Sequence, residues 1–247
     1  MKRFLSIDWD FFIGATATQR ALLFPDGGNE NLHTTLRKYI WDSRYANPEL
    51  SDIKVSSPDY LTLLKICREF DGQCLIADSH RFAYDFIMEN TTPDEEFEVY
   101  NIDFHHDLYD YRTGDERVNC GNWGTILHED RPNMKYVWVM REDSDPMTIG
   151  DVEVDVERWY PQSFTSFFKS DFIKEFDYLY LCRSAMWSPP HLDPKFVWAA
   201  KILMKKCPTK YEQGIDKPRP YEIPTDFSEY LALANAHKSN EEKWGNK

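Results

Sequence analysis

The sequence predicts an α/β fold, a three-layer α/β/α arrangement around a mainly parallel sheet. Short apolar segments rich in β-branched and aromatic residues alternate along the chain with longer segments whose apolar residues recur at helical spacing. This alternation is typical of parallel sheets with helices on both faces. Ligands of such sheets bind beyond the carboxyl ends of the strands. Charged residues that directly follow a strand are therefore the first candidates for a functional site.

The individual elements follow from the same patterns. The predicted strands are RFLSID (3–8), QCLIADSH (73–80), FEVYNID (97–103), KYVWVMR (135–141) and DYLYLCRS (177–184). The predicted helices are PDYLTLLKICREF (58–70), RFAYDFIME (81–89), DPKFVWAAKILMKK (193–206) and DFSEYLALANAH (226–237). Proline in the first turn marks two of these helix starts, Pro58 and Pro194.

The whole chain, residues 1–247, is interpreted as a single domain. Residues 14–57 are expected to form a long loop that either covers a site or is an ordinary surface insertion. The proline-rich segment 214–224 is expected to wrap the surface, and the end of the 214–247 region is expected to fray.

Composition excludes several function classes. The net charge is −13 with a pI near 5.0, which argues against nucleic acid as a partner because phosphate binding needs a basic surface. No apolar segment approaches the length of about eighteen residues that crosses a membrane. Asp8 and Asp10 interrupt the apolar start, so it does not match a signal peptide. The five scattered cysteines lack the spacing of a thiolate metal site. A cytoplasmic protein that binds neither membrane nor nucleic acid is expected.

Charged residues cluster at the ends of three predicted strands. Asp103, His105 and Asp107 alternate in DFHHD, and they share one face if the backbone stays extended. Asp8 and Asp10 end the first strand with the same spacing, and His80 ends the second. If these strands are neighbours, the four carboxylates repel one another strongly unless cations lie between them. Oxygen and nitrogen donors without sulfur favour Mn²⁺ over zinc, so a two-Mn²⁺ site is predicted.

These segments resemble a known family. DFHHD is similar to the D-A-H-x-D motif of the arginase/deacetylase fold, and SIDWDFF is similar to its S-x-D-x-D motif. DSHRFAYDF followed by NIDFHHDLY resembles the branch that contains the peptide arginases. Those enzymes convert arginine side chains of ribosomally made precursor peptides to ornithine, with release of urea. The resemblance covers roughly residues 1–12 and 73–125, and the two aspartates Asp8 and Asp10 precede the main motif, whereas they follow it in most arginases.

The resemblance implies roles for individual residues. One manganese would be held by His80, Asp103, Asp107 and Asp8, and the other by His105, Asp103, Asp8 and Asp10, with Asp8 and Asp103 bridging. Asp107 would also orient the attacking hydroxide. Cys120-Gly121-Asn122 is similar to a substrate-contacting stretch of arginases, so Asn122 either holds peptide backbone or makes a turn. The arginase proton-shuttle histidine would fall near Gly124, and His128 is the substitute. The candidates to bind the substrate guanidinium are Asp26, Glu30 and Asp85.

Three other functions remain open at this level. A single-zinc deacetylase would use Asp103, His105 and one N-terminal aspartate. A metal-dependent phosphoesterase would need an arginine near the metals, for which Arg81, Arg112 and Arg183 are available. A non-catalytic module would hold its acidic cluster together with a cation and turn over nothing.

Overall fold

A computed structural model describes residues 1–24, 34–109, 117–144, 156–159 and 172–226, together with 228, 229, 232 and 235. The predicted fold class is confirmed: a parallel sheet is flanked by helices in three layers. Its seven strands are β1 (Lys2–Asp8), β2 (Gln73–Ala77), β3 (Phe97–Ile102), β4 (Met134–Val139), β5 (Val156–Trp159), β6 (Tyr178–Cys182) and β7 (Thr209–Tyr211). Every strand pair is parallel.

The strand order is β5-β4-β3-β1-β6-β2-β7. The chain moves from β1 to one side for β2 and then to the other side for β3, β4 and β5. Such a reversal opens a crevice at the carboxyl ends of the central strands, where parallel sheets bind their ligands. The register aligns these ends, because Ile7 lies opposite Ile102 and Asp8 lies opposite Cys182.

Helices occupy both faces of the sheet. Those among the described residues are α1 (Ala17–Leu23), α2 (Thr34–Arg44), α3 (Glu49–Asp52), α4 (Ser57–Glu69), α5 (Phe82–Asn90), α6 (Trp123–Asp130) and α7 (Asp193–Lys206). The alternation along β1 shows why both faces need a helical cover. Leu5 and Ile7 join the core beneath α4 and α7, whereas Phe4 joins a second core beneath α5 and α6.

Several sequence expectations are wrong or incomplete. The long loop expected over residues 14–57 instead contains α1, α2 and α3. A buried side chain from each of the last two, Trp41 and Leu50, anchors this region in the main core. The short edge strands β5 and β7 were not predicted, because strands this short carry little pattern. The helix predicted over 226–237 lies largely outside the described residues. None of the helices in the described ranges is both long and apolar enough to cross a membrane.

The segment after β7 does lie along the surface, and one residue of it is fixed firmly. Arg219 makes a bidentate ion pair with Asp193, in which the Nε–Oδ2 distance is 2.8 Å and the Nη2–Oδ1 distance is 2.6 Å. The same guanidinium donates to the carbonyl oxygens of Ala185 and Ser188. The segment therefore holds the loop that follows β6 against the start of α7.

Candidate metal centre

The three charged segments meet at one edge of the sheet, although their strands are not all neighbours. β1 pairs with β3, but β6 lies between β1 and β2, so the adjacency that the sequence analysis assumed as a condition holds only for β1 and β3. His80 still reaches the other two segments, because it lies beyond the end of β2 and its side chain extends across the end of β6. There its ring stacks on Tyr180 at 5.6 Å between centroids. The tyrosine hydroxyl donates to the carbonyl oxygen of Ser79, which fixes this crossing.

Turns, rather than extended backbone, orient the aspartate side chains. The chain leaves β1 as a short 3₁₀ helix, Trp9–Phe12, in which Asp8 Oδ1 accepts from the amide of Asp10 at 2.8 Å. Asp103 Oδ1 accepts from the amide of His105 at 2.9 Å. Aspartate favours such turns because its carboxylate bonds the backbone two residues on. The backbone does not stay extended here, so the condition under which these residues would share one face of a strand is not met, yet the turns bring them together.

Three carboxylates surround one nitrogen of His80. Its Nδ1 lies 2.8 Å from Asp107 Oδ2, 3.1 Å from Asp103 Oδ2 and 3.2 Å from Asp8 Oδ2. Its Nε2 lies 2.6 Å from the hydroxyl of Ser6. We call His80, Asp8, Asp103 and Asp107 the inner site.

A second group shares Asp103 with the inner site. His105 Nδ1 lies 3.1 Å from Asp10 Oδ2 and 3.8 Å from Asp103 Oδ1. We call His105, Asp10 and Asp103 the outer site. Donor atoms of Asp8, His80 and Asp103, and those of Asp10, Asp103 and His105, each lie within 4.8 Å of one another. Asp8 does not belong to the second group, so its bridging role stays a prediction.

The donor sets fit a pair of divalent cations. His80 Nδ1 and Asp10 Oδ2 are buried, and each lies 3.1 Å from another donor atom of its own group. One imidazolium proton at His80 cannot neutralise Asp8, Asp103 and Asp107 together. Separations of about 3 Å also match the edge of an octahedron whose metal–ligand bonds are about 2.1 Å. Buried charges of this kind are paired with a counter-charge or coordinate metals.

Without a cation, protons compensate the charge. Burial and the charges of Asp10 and Asp103 raise the pKa of Asp8 to about 7. Burial lowers the pKa of His105, but its bond to Asp10 outweighs burial and raises that pKa to about 9. Burial also lowers the pKa of His80, yet Asp107, Asp103 and Asp8 raise it well above the ordinary value. The metal-free site therefore holds protons at neutral pH that a metal must displace.

We expect metal affinity to rise with pH. Ligands must lose their protons to bind, and in the metal-free protein His105 stays protonated up to pH about 9. The apparent dissociation constant for Mn²⁺ should fall about tenfold per pH unit per displaced proton between pH 6 and 8. Titration calorimetry in buffers of different ionisation enthalpy measures the released protons directly. A pH-independent affinity with no proton release would contradict this assignment.

Side chains outside the ligand set hold the ligands in place. Trp123, the first residue of α6, donates from Nε1 to Asp107 Oδ2 at 2.6 Å, and its ring lies 5.1 Å from that of His80. Asp107 itself adopts a positive φ of 55°. Aspartate tolerates this region better than most residues. Ser6 could have been found from sequence, because it lies two residues before Asp8 on the same face of β1.

Gly124 lies at a position where the structure leaves no room for a side chain. A Cβ there would lie 2.7 Å from Leu108 Cδ2 and 3.1 Å from the carbonyl oxygen of Asp107. The Gly124 amide also donates to that carbonyl at 3.1 Å. Any side chain would push α6 away from the loop that carries Asp107.

Substituting Gly124 with alanine should therefore damage the inner site. We expect a loss of about 1–3 kcal/mol in the free energy of unfolding from overpacking, together with weaker Mn²⁺ binding as Asp107 shifts. Urea denaturation and metal titration measure the two effects. Thr125→Ala, which removes atoms at the next position of α6, is the matched control. Wild-type metal affinity in Gly124→Ala would show that the close approach does not position Asp107.

Arg20 is a site residue that the sequence analysis missed. It is buried, and its Nη1 lies 3.6 Å from Asp10 Oδ2. Its other donors bond the carbonyl oxygens of Asp10, Ile13 and Ala15. The guanidinium lies 4.0 Å over the ring of Phe104. The sequence analysis missed Arg20 because it lies in α1, in a segment that was expected to be a loop.

A cavity of about 390 Å³ opens against the outer site. Among the described residues its walls are Ala17, Arg20, Ala21, Phe24, Phe104, His105 and Trp187. The Trp187 ring lies 5.4 Å from that of His105. A molecule in this cavity would thus touch aromatic surface and the outer site together.

The remaining predicted residues have different outcomes. Asn122 is buried, with Oδ1 accepting from the Asn119 amide at 2.7 Å and Nδ2 donating to the Arg117 carbonyl at 3.1 Å, which favours the turn interpretation. His128 lies in the last turn of α6, and neither ligand group includes it. Asp85 is exposed on α5. Asp26, Glu30 and Arg112 lie outside the described residues. Arg183 is paired with Asp78.

Comparisons with protein-family models, curated proteins and solved structures gave no match. The chemistry of the site is therefore argued from its own geometry.

Proposed function

We propose that the protein is a cytoplasmic hydrolase that uses two Mn²⁺ ions to convert arginine side chains of a precursor peptide to ornithine and urea. The observation that carries the proposal is that two buried donor atoms, His80 Nδ1 and Asp10 Oδ2, each lie close to other potential ligand atoms: His80 Nδ1 is 2.8 Å from Asp107 Oδ2, and Asp10 Oδ2 is 3.1 Å from His105 Nδ1. Each lies in a separate group of donors, and the two groups share Asp103. Two ligand groups joined by one carboxylate favour two cations over the single zinc of a deacetylase.

Bound in this position, two divalent cations would supply an activated water near neutral pH and would offset the charge of the four carboxylates. The chain's own groups orient the reaction. Asp107 accepts a hydrogen bond from Trp123 Nε1, and in this proposal it would hold a proton of the attacking water. Arginine and water then give ornithine and urea, with the released amine taking up a proton.

The aromatic walls of the cavity support a planar substrate group. Guanidinium groups stack on aromatic faces, and tryptophan provides the strongest such contact. Trp187 offers its ring next to His105, at the edge of the outer site. The net charge of −13 also attracts cationic peptides.

A phosphoesterase is the second candidate, and Arg20 is the observation that favours it. Its guanidinium lines the cavity close to the proposed metals. However, its Nε and Nη2 donate to backbone carbonyls, and its buried Nη1, which has no hydrogen-bond partner among the described residues, lies 3.6 Å from Asp10 Oδ2. Most of the Arg20 donors are thus used within the protein and the remaining one is buried beside a carboxylate, so guanidinium hydrolysis is the better supported function.

The test is incubation of the Mn²⁺-loaded protein with arginine-containing peptides. Mass spectrometry should find a loss equivalent to cyanamide at each converted arginine, and a urea assay should give the same stoichiometry. Lysine-substituted peptides, chelator-treated protein and His105→Ala are the controls. Release of phosphate or acetate from model esters and amides would assign one of the rival reactions. Two bound metals without turnover of any of these substrates would favour the non-catalytic module.

A further inference from the structure

The inner and outer sites differ in how much negative charge remains to bind a cation. The inner site gathers Asp8, Asp103 and Asp107, and no lysine or arginine forms an ion pair with these three among the described residues. The outer site has Asp10 and a share of Asp103, and Arg20 already lies 3.6 Å from Asp10 Oδ2. A divalent cation at the outer site therefore meets less attraction and a nearby like charge.

Burial adds to this difference. The side chain of His80 is 2% exposed, whereas that of His105 is 28% exposed and lines the cavity. Solvent and salt screen the outer site more than the inner one, because screening weakens as a charge pair is buried. The inner site is also braced by Ser6 and Trp123 at 2.6 Å each. Hydrogen bonds that residues outside the ligand set make to metal ligands strengthen metal affinity.

We infer that the two sites load in sequence, with the inner site binding metal tightly and the outer site binding it weakly and reversibly because Arg20 opposes it. This inference rests on the proposed two-metal function and deepens it. The outer cation is the one beside the cavity. Free metal concentration then regulates turnover, while the inner ion stays bound and maintains the fold of the strand ends.

The charge of Arg20 can be separated from its bonds to the backbone. Arg20→Gln removes the charge, and Arg20→Lys keeps it while losing the bonding pattern. Arg141→Gln is the matched control, because Arg141 also donates to the carbonyl oxygens of Phe11 and Ile13 but pairs with Asp143. The Arg141→Gln substitution removes hydrogen bonds to the same segment and keeps the Arg20 guanidinium beside Asp10.

The experiment is Mn²⁺ titration by calorimetry, with metal counting after gel filtration. Wild-type protein should show two steps whose dissociation constants differ by about 100-fold or more, and one metal should survive filtration. Arg20→Gln should tighten the weak step by about tenfold or more through lost repulsion, whereas Arg20→Lys and Arg141→Gln should leave it weak. His105→Ala should lose only the weak step, and His80→Ala should lose the tight one.

Opposite results overturn the inference, and they can be told apart from failure of the proposed function. Two equal steps, or a tight step that disappears in His105→Ala and survives in His80→Ala, would refute sequential loading while leaving a two-metal hydrolase intact. An unchanged weak step in folded Arg20→Gln would refute the role of Arg20. If Arg20→Gln does not fold, the histidine variants still decide the order. No metal binding in wild-type protein would remove the proposed function itself.

Discussion

Asp103→Asn is expected to abolish metal binding at both sites and, with it, urea release. Asp103 is the carboxylate that both ligand groups share, and it is almost fully buried. Asparagine keeps the shape but removes the negative charge and one anionic donor. Loss of a hydrogen-bond partner outside the ligand set weakens metal binding about 10- to 100-fold, so loss of a shared ligand should exceed about 100-fold at each site.

Metal counting and the urea assay on the same sample test this expectation. Asp52→Asn is the matched control, since it makes the same change at an exposed position of α3. It should bind two metals and retain activity. If Asp103→Asn protein still bound two Mn²⁺, the cations would have to bind elsewhere.

Removal of metal is expected to lower thermal stability substantially. A ligand at about a thousand times its dissociation constant stabilises the folded state by about 4 kcal/mol. For a chain of this length, each kcal/mol shifts the melting temperature by about 2–4 °C, so saturating Mn²⁺ should raise it by about 8–16 °C over chelator-treated protein.

The size of this shift should grow with pH. In the metal-free protein the pKa of Asp8 is raised to about 7 and that of His105 to about 9. Groups whose folded pKa is raised stabilise the protein below their unfolded pKa and lose that contribution as pH rises through the folded value. Metal-free protein should thus weaken steadily from about pH 4 to pH 9, whereas metal-loaded protein should not.

Differential scanning calorimetry with and without Mn²⁺ at several pH values measures both effects. Asp103→Asn should show no metal-dependent shift. A melting temperature that is the same with metal and with chelator across this range would contradict a buried metal centre.

The two ligand groups give the strand-end charge cluster a physical explanation. Strand β3 leads directly into Asp103, and the turn that follows places His105 toward one group and Asp107 toward the other. Clustered carboxylates at a sheet edge would otherwise cost several kcal/mol in mutual repulsion. If cations bind as proposed, the same arrangement makes the protein's stability depend on them.

Sequence reasoning predicted the alternation of strands and helices because apolar periodicity is a local property of the chain. It located α7 at Asp193–Lys206 and the buried central strands to within a few residues. It also selected the six candidate ligand residues, because charges that directly follow the strands of a parallel sheet lie at the same edge of that sheet. It failed over residues 14–57, where the helices are stabilised by packing that the local pattern does not record.

The sequence by itself determined which side chains are available at the strand ends, since strand periodicity and composition place them there. Only the tertiary structure decided how they meet. The insertion of β6 between β1 and β2, the turns at Asp8 and Asp103, and the close approach of Gly124 to Asp107 depend on contacts between distant segments. The burial of Arg20 beside Asp10 is of the same kind, because the charge that one carboxylate presents to a cation depends on a neighbour ten residues away that folding brings within 3.6 Å.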